Sequence, residues 1–164
     1  MRVVRRSTPV LANLRALARL AGNTQTRVGW MANSRYPDDR GANEVSYIAT
    51  IMEYGYAPLN IPPRPILAPT INAHLLEWYA LMARNAAGVV DGRMSVRQAF
   101  AQLGLVAQGD IQATIRSITT PPLKESTLRA RARRKGTTLA AVPSKPLEDT
   151  GLLISTVTHE VITR

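Results

Sequence analysis

The stretch Tyr47–Pro69, YIATIMEYGYAPLNIPPRPILAP, decides how the rest of the chain is organised. It begins within an amphipathic helix, because apolar residues recur at helical spacing just before and inside it. These residues are Val45, Ile48, Ala49 and Met52. Asn43 is predicted as the N-cap of this helix, and Gly55 as the residue that ends it.

A stiff connector follows this helix, since five of the chain's eleven prolines fall between Pro58 and Pro69. Proline fixes its own φ and moves the preceding residue out of the α region, which predicts extended backbone. Glu53 and Arg64 flank the connector as charges that could clasp its two ends or face a partner. The stretch holds no chemically reactive group, so we expect it to position surfaces rather than carry out chemistry.

Length and composition predict one globular domain over residues 1–164, since 45% of the residues are apolar and 20% are charged. We expect an N-terminal arm at residues 1–8 that could be mobile, and a basic loop or helix at 124–145. No stretch approaches the roughly 18 uninterrupted apolar residues that a membrane span requires. The chain has no cysteine, which excludes disulfides and thiolate metal sites.

A net charge of +10 indicates an anionic partner, such as nucleic acid, a membrane surface or an acidic protein face. The excess is concentrated in one segment, KESTLRARARRKG. Its cations, the predicted contacts for DNA or an acidic partner, are Lys124, Arg129, Arg131, Arg133, Arg134 and Lys135. No aromatic residue interleaves with them, so base stacking has no support. A solvated basic helix remains equally consistent with the pattern.

The periodicity predicts an α+β fold. A strand at about 26–32 alternates in polarity, and a strand at about 154–163 is rich in Thr, Val and Ile, so we pair them in a small antiparallel sheet. This sheet is expected to pack on several helices. Ser126 is predicted to cap a short basic helix that ends at Lys135, and Asp149 to cap the turn before Leu152–Leu153.

Two long helices fill the middle of the chain. The first is predicted from Pro69 to about Ala87, and a capping box formed by Ser95 and Gln98 starts the second. A short link makes them an antiparallel pair, which should supply most of the core. The stripe expected to be buried on the first helix consists of Ile71, Leu75, Trp78 and Met82. On the second helix it consists of Phe100, Leu103, Ala107, Ile111, Ile115 and Ile118.

Catalytic chemistry is not indicated. In the sequence, neither His74 nor His159 has a second histidine or a carboxylate at metal-ligand spacing, and no nucleophile with an orienting base can be assembled. The tripeptide Asp149-Thr150-Gly151 matches the catalytic signature of aspartic proteases, but only 13 residues follow it. The second half that such proteases require is missing. We therefore expect no enzyme activity, no cofactor and no metal.

Two stretches together resemble phage tail-completion, or head–tail joining, proteins. IMEYGYAPLNIPPRPIL is similar to a family segment that runs Glu-aromatic-Gly, a short loop, then Ile-Pro-x-Arg-Pro. Its matching positions are Glu53, Tyr54, Gly55, Ile61, Pro62, Arg64, Pro65, Ile66 and Leu67. SKPLEDTGLLISTVTHEV is similar to the ending of the same proteins. There the matching positions are Lys145, Pro146, Leu147, Asp149, Thr150, Gly151, Leu153 and Val161.

The resemblance implies a non-enzymatic virion protein of a tailed bacteriophage with a compact α+β fold. Such proteins form a ring, generally sixfold, at the neck between the head connector and the tail. The implied partners are further copies of the chain, the head connector or adaptor, and the tail tube or tail terminator, with DNA in the channel as another candidate. No membrane is involved, and assembly takes place in the host cytoplasm.

The resemblance also implies a subunit or partner interface. The motif residues expected there are Glu53, Tyr54, Gly55, Pro62, Arg64, Pro65, Asp149, Thr150, Gly151 and Leu153. A nucleic-acid-binding protein that acts through residues 124–136 is the alternative hypothesis.

Overall fold

The computed structural model describes residues 9–31 and 44–164, with side chains from Leu14 onward. The fold is α+β, as predicted: the described residues form a two-stranded antiparallel sheet and six α-helices. In chain order these are α1 (Pro9–Gly22), β1 (Thr24–Trp30), α2 (Val45–Tyr54), α3 (Leu67–Val90), α4 (Val96–Ser117), α5 (Glu125–Lys135), α6 (Leu152–Ser155) and β2 (Val157–Thr163). Short 3₁₀ turns lie at Ala57–Leu59 and Leu139–Ala141.

The described residues divide into two compact units. The first contains the described residues up to 28, together with 75–107 and 159–164; the second contains 29–31, 44–74 and 108–158. The helices α3 and α4 and both strands contribute residues to each unit. The single-domain organisation stays a prediction, and the arm at residues 1–8 lies outside the described residues.

The first unit contains one end of the sheet and of the long helix pair. The backbone N–H of Arg164 donates to the Asn23 carbonyl at 2.9 Å, which closes the end of the sheet. The buried amide of Asn85 in α3 donates to the Ala99 carbonyl in α4 at 3.1 Å. The predicted capping box is confirmed, because the Ser95 N–H donates to the Gln98 side chain at 2.8 Å. Local capping thus sets the start of α4.

The second unit contains the other end of the helix pair. The side chains of Ile66 and Ile115 are fully buried there, and Ile111 is nearly so. The hydroxyls of Thr70 in α3 and Thr114 in α4 lie 2.7 Å apart. The predicted antiparallel helix pair is therefore confirmed, with the apolar face of α4 buried over this part.

The predicted buried stripe of α3 is partly wrong. Ile71 and Leu75 are 43% and 40% exposed, and Leu76 is 81% exposed. The buried side of α3 includes the polar Thr70 and Asn85. Because α3 is apolar around most of its circumference, apolar spacing alone does not identify the side that packs.

The predicted N-caps of α2 and α5 are each shifted to a nearby position. The N-cap position of α2 is Glu44 rather than Asn43, which lies outside the described residues. For α5 it is Lys124 rather than Ser126, since the Lys124 carbonyl accepts the Leu128 N–H at 3.2 Å. Both helices begin on an extended residue without a side-chain cap.

The predicted strand at 154–163 begins later, at Val157, because a helical turn precedes it. The carbonyl of Gly151 accepts the N–H groups of Ile154 and Ser155 at 3.2 and 3.0 Å. Gly151, and not Asp149, is therefore the N-cap residue of α6. Across the described ranges, no helix combines the length and apolar character needed to cross a bilayer.

Candidate binding cleft

Glu53 at the end of α2 caps the start of α3. Its carboxylate accepts the backbone N–H groups of Ile66, Leu67 and Ala68 at 2.6, 2.9 and 3.1 Å. The first N–H groups of a helix lack partners within it, and a negative charge there also favours the helix dipole. Glu53 therefore clasps the far end of the proline-rich connector.

Gly55 permits a close backbone approach inside the connector. Its φ is +76°, and an added Cβ would lie 2.9 Å from both the Ile61 carbonyl oxygen and the Pro63 nitrogen. Tyr56 and Ile61 exchange backbone hydrogen bonds of 2.9 and 3.0 Å, which closes a small loop. Any larger residue at position 55 would push this loop away from α2.

Arg64 is a buried cation held by backbone carbonyls. Only 6% of the residue is exposed; its Nε donates to the Pro121 carbonyl at 3.0 Å and its Nη2 to that of Pro122 at 3.3 Å. Within the described residues, no carboxylate lies within 4.0 Å of it. Burial lowers the pKa of Arg64, and the nearby charge of Arg131 lowers it further. The connector thus places a positive charge away from water.

Asp149 lies beside three cations of α5. Its carboxylate pairs with Arg134, lies 3.6 Å from Arg131 Nε and lies 3.7 Å from Lys135 Nζ. Arg131 is 7% exposed, and its Nη1 also donates to the carbonyls of Pro143 and Lys145 at 2.8 and 3.2 Å. Burial lowers the pKa of Arg131; Asp149 opposes this effect and Arg134 adds to it.

The rest of the second motif forms a turn that anchors α6. The Thr150 hydroxyl accepts the Leu152 N–H at 3.3 Å, and Gly151 has a φ of +74°. Leu153 is buried, and its carbonyl accepts the indole N–H of Trp30 at 2.7 Å. Asp149 therefore faces cations, and within the described residues it is not paired with a second carboxylate.

These elements surround an open cleft of about 760 Å³ in the second unit. It is lined by residues of α2, the connector, α5 and the second motif. The lining residues are Ile48, Met52, Leu59, Asn60, Ile61, Pro62, Arg64, Leu123, Lys124, Ser126, Thr127, Arg131, Arg134, Leu147, Asp149, Thr150, Leu152 and Leu153. The two motif stretches, distant in sequence, therefore meet at one surface feature.

The cleft brings together only part of the predicted residues. The motif members in its lining are Pro62, Arg64, Asp149, Thr150 and Leu153, and the cations in it are Lys124, Arg131 and Arg134. The predicted residues that do not line it are Glu53, Tyr54, Gly55, Pro65, Gly151, Arg129, Arg133 and Lys135. Tyr54 is 79% exposed, so its side chain is open to solvent.

The apolar walls of the cleft were missed by sequence reasoning. Leu59 and Leu123 match no motif position, and Leu147, a matched position, was not predicted as a site residue. Among the residues that the structure describes, no group of three His, Asp or Glu side chains could hold a metal ion. The arrangement can therefore bind a ligand through charge and apolar contact.

The chain matches no protein-family model, and comparisons with curated proteins and with solved structures find no match either.

Proposed function

We propose that this chain is a structural virion protein of a tailed phage: a ring-forming subunit at the neck that completes the tail and joins it to the head connector. The observation that carries the proposal is the meeting of the two joining-protein-like stretches at one cleft. They occur in the family's order along the chain and share a surface in the second unit.

The kind of residue that carries the resemblance supports a structural role. Glu53 caps a helix, Gly55 allows a close approach, and Arg64 binds two carbonyls. Each of these residues shapes the backbone. A motif of shape-determining residues specifies an architecture, which is what a scaffold subunit has to preserve.

An exposed apolar surface on α3 supports assembly with further copies. In the first unit, Leu76 is 81% exposed, and Tyr79 and Val90 are also exposed. Tyr79 follows Leu76 by three residues and Val90 follows Tyr79 by eleven, which places all three on one side of α3. Exposed apolar and aromatic groups of this kind are typical of protein–protein contact surfaces.

A stop codon early in this gene of the phage tests the proposal. We expect electron micrographs of infected lysates to show filled heads and finished tails lying apart. Expression of the wild-type chain in the host should restore joined particles. Normal, connected particles from the mutant phage would contradict the joining role.

Nucleic-acid binding through residues 124–136 is the alternative function, and the exposed Arg133 is the observation in its favour. The other cations are less available: Arg129 pairs with Glu125, and Arg131 is buried. This alternative predicts salt-sensitive DNA binding by the purified chain. Binding should be lost when Arg129 and Arg133 are both changed to Ala; retained binding would count against it.

A further inference from the structure

Positive charge exceeds negative charge in the lining of the cleft. Among the described residues that line it, four side chains are cationic and Asp149 is the single carboxylate. The four cations are Arg64, Lys124, Arg131 and Arg134. Asp149 also pairs with Lys135 outside the lining, so its charge is shared among three cations. Among the described residues, the lining of the cleft therefore carries more positive than negative charge.

Two of the four cations are the buried guanidinium groups of Arg64 and Arg131, and Asp149 lies 3.6 Å from the second. Both residues are more than nine-tenths buried, and the charge of Arg131 adds to the burial that lowers the pKa of Arg64. Arg64 binds carbonyl oxygens alone, and within the described residues its Nη1 makes no hydrogen bond. A buried charge without a counter-ion is costly, and a carboxylate bound beside it would remove that cost.

Much of the wall around these cations is apolar, although uncharged polar residues also line the cleft. The apolar part includes Ile48, Met52, Leu59, Ile61, Leu123 and Leu147. The volume, about 760 Å³, is within the range of about 300–1,000 Å³ that is usual for binding pockets. A simple inorganic anion would leave these walls exposed to water. The surface suits a ligand that carries both carboxylate and apolar groups.

We propose that the cleft binds an extended acidic segment of a partner protein. A carboxylate of the segment binds between Arg64 and Arg131, and neighbouring apolar side chains pack on the walls. Lys124 and Arg134 attract the segment from the rim. This inference rests on the proposed function, since a joining subunit has to bind a neighbouring protein, and it names the chemistry of that neighbour.

The same observations disfavour nucleic acid as the occupant. Among the described residues of the lining there is no aromatic side chain on which a base could stack. A duplex would contact exposed cations, whereas Arg64 and Arg131 are buried. The exposed Arg129 and Arg133 of α5 lie outside the lining. The buried cations of the cleft therefore suit a small anionic group, such as a side-chain carboxylate, that can enter it.

A selection of binders from a random dodecapeptide library displayed on yeast tests this inference. We expect the wild-type chain to enrich peptides with Asp or Glu beside apolar residues. In fluorescence anisotropy, counterparts with Asn or Gln should bind at least roughly tenfold more weakly, because they lose the charge-assisted hydrogen bonds. Added salt should weaken the acidic peptides and leave their amide counterparts little changed.

Variants then locate the binding. Lys124→Met and Arg64→Met should both weaken the selected peptides, the second more strongly. Arg133→Met is the matched control, since it removes a cation of α5 that does not line the cleft. Because Arg64→Met loses two hydrogen bonds and could unfold, methyl NMR of the wild-type chain provides a second measurement. The methyl groups of Ile48, Ile61 and Leu123 should shift when peptide binds.

Several outcomes would overturn the inference. The selection could yield no binders, or peptides without acidic residues. Arg133→Met could weaken binding as much as Lys124→Met and Arg64→Met do, or the methyl shifts could be confined to surfaces other than the cleft. Stronger shifts of the cleft methyl groups with a twenty-nucleotide oligo-dT would assign the site to nucleic acid instead. If the stop-codon phage gives separate heads and tails but the purified chain binds no peptide, the proposed ligand of the cleft is rejected and the joining role stands. If that phage gives joined particles but the chain binds acidic peptides, the joining role is rejected and the proposed ligand stands.

Discussion

The indole N–H of Trp30 donates a 2.7 Å hydrogen bond to the carbonyl oxygen of Leu153. This bond ties the end of β1 to the second motif stretch within the second unit. Changing Trp30 to Phe removes the donor and leaves a partly buried carbonyl unpaired. We expect the free energy of unfolding to fall by about 1–3 kcal/mol in urea denaturation. Tyr54→Phe, at an exposed site, should change it by less than about 0.5 kcal/mol.

The cap that Glu53 provides to α3 can be measured separately. Glu53→Gln keeps one acceptor oxygen but loses the charge and one of the two oxygens that accept three N–H groups. The expected loss is about 1–2 kcal/mol of unfolding free energy. Glu125→Gln removes an exposed i,i+4 pair with Arg129 and should cost under about 0.5 kcal/mol. Equal losses in the two variants would argue against the cap.

Two glycines of α4 should respond in opposite directions to the same change. A Cβ at Gly104 would lie 2.7 Å from His159 Cδ2 and 2.8 Å from the Thr26 hydroxyl, whereas one at Gly109 would meet no atom within 4 Å. Gly104→Ala should destabilise the chain by about 1–3 kcal/mol through overpacking. Gly109→Ala should stabilise it by up to about 1 kcal/mol, since alanine favours the helix. Thermal melts of both variants would show whether the signs differ.

The buried hydroxyl of Thr70 gives a fourth test. It lies 2.6 Å from the Ile66 carbonyl oxygen and 2.7 Å from the Thr114 hydroxyl. Thr70→Val keeps the shape and should cost about 1–2 kcal/mol, because the half-buried Thr114 hydroxyl loses the partner that Thr70 provides. Thr50→Val, at an exposed helix position, is the control and should be nearly neutral. A neutral Thr70→Val would mean that the hydroxyl pair adds no stability.

Local signals explain what the sequence predicted correctly. The Ser95–Gln98 capping box lies within four residues, and the α4 pattern that buries Ile111 and Ile115 repeats within one helix. The buried side of α3 could not be predicted in the same way. A helix that is apolar around most of its circumference has no clear difference between an apolar and a polar face. The side that packs is then set by contacts from distant parts of the chain.

The cleft depends on such distant contacts. The sequence predicted Arg64 as a motif residue at an interface and Arg131 as a contact for DNA or an acidic partner, but neither as buried; only the fold buries both at one place. Asp149 looked like a helix cap because a turn follows it, yet its carboxylate pairs with α5. Sequence patterns show where charged residues lie along the chain, but they do not show which of them come into contact in the fold.

The closed loop between Tyr56 and Ile61 has a practical consequence. Its two ends are fixed by the hydrogen bonds of that pair, while Leu59 at its tip is 69% exposed and borders the cleft. The chain contains no cysteine, so Leu59→Cys would create a single thiol for attachment of an environment-sensitive dye. The emission of a dye attached there would report, in real time, whether a ligand occupies the cleft.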